Sequence, residues 1–142
     1  MNVLVDTPIW SLAFRRKKES SNIHESLLFS EITELIREDR AVIIGPIRQE
    51  ILSGISAEPQ FEQLKEKLNV FEDLRIIKDD YELAASFYNQ CRRKGVQGSH
   101  IDFLICAVAN RLDIPIFTTD KDFDLYSKHI NIFLHNPRVS IN

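Results

Sequence analysis

Cysteine is scarce in this chain. Only Cys91 and Cys106 occur in 142 residues, far apart, with no CxxC and no Cys/His ligand spacing around either. That pattern argues against a disulfide framework or a structural zinc site, and both thiols are expected to be buried as small hydrophobes. Long apolar runs are missing too, since none approaches the roughly 18 residues that a membrane helix requires. The first residues already read as a strand, with no leader-like stretch before it, so a cytoplasmic protein is expected. Positive charge is not in excess: 18 Lys and Arg stand against 21 Asp and Glu, a net charge of −3, which by itself is a weak argument against nucleic-acid binding. Arg15-Arg16-Lys17-Lys18 and Arg92-Arg93-Lys94 are nevertheless concentrated basic patches, of the kind that also form solvated helix ends. Repeats, low-complexity tracts and linkers are absent as well. What remains is an ordinary composition, 44% apolar and 27% charged, and a length that suits one domain over residues 1–142.

The order of apolar segments is more telling. Residues 2 to 5 read as a strand, after which Thr7-Pro8 supplies a cap and an early-helix proline for a short helix to about Phe14. Ile23, Leu27, Leu28, Ile32, Leu35 and Ile36 are spaced for one face of a helix over 22–38. Ala41 to Ile44 is a second buried strand, and Pro46 opens a helix carrying Glu50. A helix over 58–68, a strand around 70–77, a helix opened by an Asp79/Glu82 capping box and ended at Gly95, and a helix over 100–112 capped by Ser99 follow. Strands at 114–118 and 131–134, with a short helix near 121–128 between them, complete the pattern. Continuous apolar strands separated by helices predict a three-layer α/β/α sandwich around a mainly parallel sheet of four to five strands.

Four acids occupy punctuated positions in that scheme. Asp6 and Asp120 follow strands directly, Glu50 lies on the helix after another strand, and Asp102 sits in the first turn of a helix. Each has a plainer reading alone, as a cap, a helix-start charge or a generic helical glutamate. Together they fall where a parallel sheet brings ligands, at the carboxyl ends of its strands. Carboxylates gathered at neutral pH raise one another's pKa or hold a hard cation such as Mg²⁺ or Mn²⁺.

The stretch Val3-Leu4-Val5-Asp6-Thr7-Pro8-Ile9-Trp10 resembles the opening of PIN-domain ribonucleases, in particular the VapC-type toxins of bacterial toxin-antitoxin pairs. The likeness continues in Glu50-Ile51-Leu52-Ser53-Gly54-Ile55, in Asp102-Phe103-Leu104-Ile105-Cys106-Ala107-Val108-Ala109, and in Phe117-Thr118-Thr119-Asp120-Lys121-Asp122-Phe123. Pro8 stands where the family often has serine or asparagine, and Cys106 where alanine is usual; neither change removes an acid. The resemblance implies a Mg²⁺- or Mn²⁺-dependent endoribonuclease for single-stranded or looped RNA, leaving a 5′-phosphate and a 3′-hydroxyl. In that reading Asp6, Asp102 and Asp120 hold the ion directly or through water, and Glu50 completes the pocket. Thr7 and Thr118 are placed to orient carboxylates. Asp122 and Asp124 stay peripheral, and His100 is a helix-start or surface residue. It also implies a homodimer and a VapB-like antitoxin whose C-terminal segment lies in a groove near the acids. The amphipathic helices at 22–38 and 58–68 are candidates for that groove, although an ordinary sheet-covering role fits both better, and Trp10 fits either core or partner contact.

Rival readings meet specific obstacles. A haloacid-dehalogenase-type phosphatase wants a second aspartate where Pro8 stands, and a receiver domain wants paired acids early in the chain, where only Asp6 is found. A non-catalytic PIN-like module binding RNA or protein and a housekeeping RNA-processing nuclease remain as alternatives, the former disfavoured by the intact set of acids.

Overall fold

A computed structural model describes residues 1–14 and 22–138; the basic run Arg15 to Lys18 lies outside them. Its first strand, β1 (Val3–Val5), is wholly buried, and the adjoining β2 (Ala41–Ile44) pairs with it in parallel, Val3 opposite Ala41. Beyond β2 lies β3 (Asp73–Leu74), and on the other side of β1 lies β4 (Ile116–Phe117), giving the parallel order β3-β2-β1-β4. Each crossover contains two helices: α1 (Thr7–Ala13) and α2 (Ile23–Arg37), then α3 (Gly45–Ser53) and α4 (Glu58–Leu68), then α5 (Lys78–Arg93) and α6 (His100–Leu112). A last short helix, α7 (Asp122–Ser127), follows β4. The contacts sort these helices as right-handed crossovers require: α1 packs on α2 and α3, and α3 on α4, whereas α5 and α6 pair with each other after the chain has recrossed the sheet.

The β1 and β2 side chains Val3, Leu4, Val5, Ile43 and Ile44 are all fully buried, as a sheet covered on both faces demands. Helix α6 is buried without a break from Phe103 to Ala109, two turns with every face covered, which explains its small residues Cys106, Ala107 and Ala109. Trp10 is core: its ring is fully buried, stacks on Phe14, meets the edge of Phe71, and donates its indole N–H to the Val5 carbonyl at 2.9 Å. Cys91 and Cys106 are free and buried, and burial pushes both thiols up from their ordinary pKa. No helix among the described residues is long and apolar enough to cross a membrane.

The element boundaries depart from the sequence expectations in four places. Asp6, not Thr7, caps α1, its carboxylate accepting the Thr7 N–H at 2.9 Å. Helix α5 begins at Lys78, and the acid that reaches back to its start is Asp80, which accepts the Ile77 N–H; Asp79 and Glu82 do not cap it. Asp80 is 1% exposed and is also gripped at both oxygens by Arg111 of α6. Burial alone would raise its pKa, but Arg111 and the Ile77 amide outweigh burial and hold it below the usual range. The strand at 70–77 shrinks to two residues: Phe71 is held in a turn after α4, its N–H donating to the Leu68 carbonyl and its own carbonyl accepting from the Arg48 guanidinium. The strand at 131–134 is a single parallel bridge, Leu134 to Ile116, and the segment is held by His135 and Arg138, which bind the buried Glu31 of α2 at 2.5 and 3.0 Å.

Candidate metal centre

The reversal in strand order falls between β1 and β4, and both strands end at acids. Asp6 follows β1 directly, and its backbone N–H still donates to the Phe117 carbonyl at 2.9 Å. Thr118 follows β4 and joins the two edges: its hydroxyl donates to Asp6 Oδ2 at 2.7 Å and accepts the Asp120 N–H at 3.0 Å. Asp6 is 6% exposed. Its burial raises its pKa to about 6 against the lowering effect of the Thr118 and Thr7 hydrogen bonds, and the nearby charges of Asp102 and Glu50 raise it further. Glu50, on α3, is exposed and accepts the Thr7 hydroxyl at 2.6 Å. Thr7 therefore steadies two acids, one through its amide and one through its hydroxyl.

Asp102 enters from the other crossover. Ser99 caps α6 by accepting the Asp102 N–H at 3.0 Å, which fixes the first turn and turns the carboxylate toward the sheet edge. Burial raises the Asp102 pKa, and repulsion from Asp120 and Asp122 adds to it, against the hydrogen bond it accepts from Tyr126 Oη at 2.7 Å. Asp120 accepts the Asp122 N–H at 3.0 Å, drawing the start of α7 inward.

All four acids expected from the sequence thus lie around one sheet edge, but they are not equivalent. The tightest grouping is Asp102, Asp120 and Asp122, each offering an oxygen within 4.8 Å of the other two. Asp6 and Glu50 form a neighbouring pair, bridged to the trio by Thr118 and coupled to it by charge. Asp122, assigned to the periphery from sequence, is inside the trio; Asp124 is outside it. An all-carboxylate set at this spacing suits a hard divalent cation, which favours oxygen ligands and keeps several waters beside the carboxylates that hold it. Tyr126 was not visible from sequence, nor was the role of Gly98: a Cβ there would lie 2.2 Å from the Tyr126 hydroxyl and 2.8 Å from the Phe103 ring. Spacing gives one faint signal, since Phe123 and Tyr126 stand three residues apart on the buried face of α7. His100 is exposed at the start of α6 and stacks on Tyr88 at 5.0 Å, away from the acid trio's hydrogen bonds.

The PIN domain family model matches residues 3–128, nearly the whole chain and all of these acids. The chain belongs to the PIN domain family. Similar folds accompany that match. The FitAcB structure from Neisseria gonorrhoeae aligns with a TM-score of 0.74 at 18% identity, covering 95% of this chain and 97% of that one. VapBC2 from Rickettsia felis, bound to a DNA fragment from its promoter, aligns at 0.73 and 17% identity, covering 96% and 98%. A toxin-antitoxin complex from Klebsiella pneumoniae aligns at 0.60 and 19% identity, covering 86% and 90%. No curated protein matches the sequence. At these identities the structures speak for the fold, and this PIN domain has the expected parallel sheet with helices on both faces and its carboxylates at the switch between β1 and β4.

Proposed function

We propose that this PIN domain is a Mg²⁺- or Mn²⁺-dependent endoribonuclease, the VapC-type toxin of a toxin-antitoxin pair, acting on single-stranded or looped RNA in the cytoplasm. The observation that carries the reading is the Asp102, Asp120 and Asp122 trio with Asp6 and Glu50 beside it, at the topological switch of a PIN sheet. A divalent cation bound there would supply an activated water and charge neutralisation at the attacked phosphate. Asp102 and Asp120 would hold it together with Asp6, directly or through water, and Asp122 joins them. Tyr126 leaves one Asp102 oxygen committed to its hydroxyl and so fixes how the carboxylate faces the pocket. Thr118 does the same for Asp6, and Thr7 for Glu50. In the metal-free protein Asp6 has a pKa raised to about 6, so protons compete with a cation for it near neutral pH.

The partners follow from the same reading. One similar structure is described as a toxin-antitoxin complex and two others as VapBC2 and FitAB bound to DNA, which supports a protein antitoxin as partner; a homodimer is proposed with it. A cleft of about 370 Å³ beside α4, between Phe14 at the end of α1, Ile55, and Gln60, Leu64 and Lys67 of α4, offers room for an antitoxin segment. The test is cleavage of total RNA after brief induction, with fragment ends mapped. Wild type is expected to produce fragments with 5′-phosphates, and Asp102→Asn or excess EDTA is expected to stop them. Cleavage that persists in both overturns the reading. Metal binding without any cleavage would favour a binding module instead.

A further inference from the structure

The basic run at the end of α5, which the acid site leaves without a role, is half of a second concavity. A cavity of about 410 Å³ is lined by Gln90, Arg93 and Lys94 from α5 and by Lys128 and His129 just past α7. None of its walls is acidic, in a chain where acids outnumber Lys and Arg 21 to 18. A single cation at each helix end would satisfy the helix dipoles, but here two helix C-termini converge and direct three permanent positive charges at one space. Arg93, Lys94 and Lys128 make no salt bridge or side-chain hydrogen bond among the described residues, so only the partial charges of the two helix ends draw on their three full ones.

Its position relative to the acids is set by α7. Asp122, the first residue of that helix, belongs to the carboxylate trio, and Lys128, its C-cap, lines the basic cavity. Six residues at 1.5 Å rise separate the two along the axis by about 9 Å. The other wall is fixed to the same frame: α5 ends at Arg93 with Lys94 as its C-cap, the chain reverses at Gly95 with φ +80°, Gly98 then leaves room for Tyr126, and Ser99 fixes the turn that carries Asp102. An anionic strand leaving the acid pocket along α7 therefore meets concentrated positive charge at once.

We propose that this cavity holds a backbone phosphate of the RNA strand next to the one being cut. The inference rests on the ribonuclease reading and adds to it a register for the strand: the scissile phosphate at the acids and a neighbouring one between the ends of α5 and α7. Phosphate contacts position without reading sequence, so the cavity would orient substrate rather than select it. The occupant is taken to be RNA and not an acidic protein segment because the cavity lies one short helix from the proposed reaction centre.

The test measures binding of a labelled single-stranded RNA to Asp102→Asn protein in Mg²⁺, as a function of salt. A companion protein carries Arg93→Gln, Lys94→Gln and Lys128→Gln in addition, and a control carries Lys65→Gln and Lys67→Gln on α4. The triple change is expected to weaken binding and to flatten the slope of log K against log salt by about 2, at about 0.7 per lost contact on a single strand. The α4 control is expected to keep the parent's slope. Unaltered affinity and slope in the triple variant overturn the proposal while leaving the ribonuclease reading intact if wild type cleaves. A parent that binds no RNA at any salt overturns both, and an equal loss in the α4 control overturns the assigned location.

Discussion

Asp6 is at once a helix cap and a crowded carboxylate. As a cap it accepts the Thr7 amide, a role that asparagine fills equally well. As a carboxylate it is buried beside Asp102 and Glu50, and its pKa rises from 3.8 to about 6. A folded-state pKa above the unfolded one means that the native state holds the proton more tightly. The associated stability is therefore complete below about pH 4 and is lost as pH rises through 6. A shift of about 2 units corresponds to at most about 3 kcal/mol. In EDTA, Asp6→Asn is expected to stabilise the protein by about 1–3 kcal/mol at pH 7 and by almost nothing at pH 4, read from urea unfolding at the two values. A destabilised variant at pH 7 would show that the hydrogen bond from Thr118 to the carboxylate outweighs its burial and the repulsion. Asp6 was legible in the sequence because it ends an apolar strand. Tyr126 was not, because the partner of its hydroxyl is 24 residues away and the space for that hydroxyl is made by a glycine in another loop.

At the scale of elements, apolar patterning reports burial and not hydrogen bonding. It found the helices well: α4 spans the expected 58–68 and α6 the expected 100–112. It overextended the edge strands. Phe71 and Ile132 are sheltered as apolar residues, yet the Phe71 carbonyl goes to Arg48, and beside Ile132 the Asn131 carbonyl goes to the Asn110 side chain while only Phe133 and His135 bond to β4. Long-range pairs such as Arg48 with Asp73 and Arg111 with Asp80 leave no periodic trace in sequence. The union of α6, α7 and the segment between α5 and α6 is the element-scale feature that most affects the site. Gly98→Ala forces a methyl against Tyr126 and Phe103, with backbone φ in the ordinary range, so the cost is one of space. It is expected to destabilise by about 1–3 kcal/mol and to weaken metal binding because Tyr126 leaves Asp102. Denaturant unfolding and Mn²⁺ titration check the two halves separately, and Tyr126→Phe should reproduce the loss of metal affinity without the overpacking.

For the molecule as a whole, the parallel sheet concentrates acids at one edge, a feature visible from the sequence because alternating strands and helices dictate it. Which acids touch was not visible: Asp122 joined the trio through the tight turn in which Asp120 accepts its amide. The metal-free fold carries two carboxyls, Asp6 and Asp102, with raised pKa values and mutual repulsion among their neighbours. Protons and a divalent cation compete to relieve that repulsion, and only the cation does so without consuming the carboxylates' charge. Mg²⁺ or Mn²⁺ is therefore expected to raise the melting temperature at pH 7.5, by about 8 °C at a hundredfold excess over the dissociation constant, which is worth about 2.7 kcal/mol. The gain should shrink toward pH 5, as Asp6 takes up its proton near pH 6, and should be lost in Asp102→Asn protein. Potassium at matched ionic strength serves as the control for screening. Equal shifts from potassium and magnesium, or an undiminished shift in Asp102→Asn, would mean that the acids form a charged rim and not a metal centre.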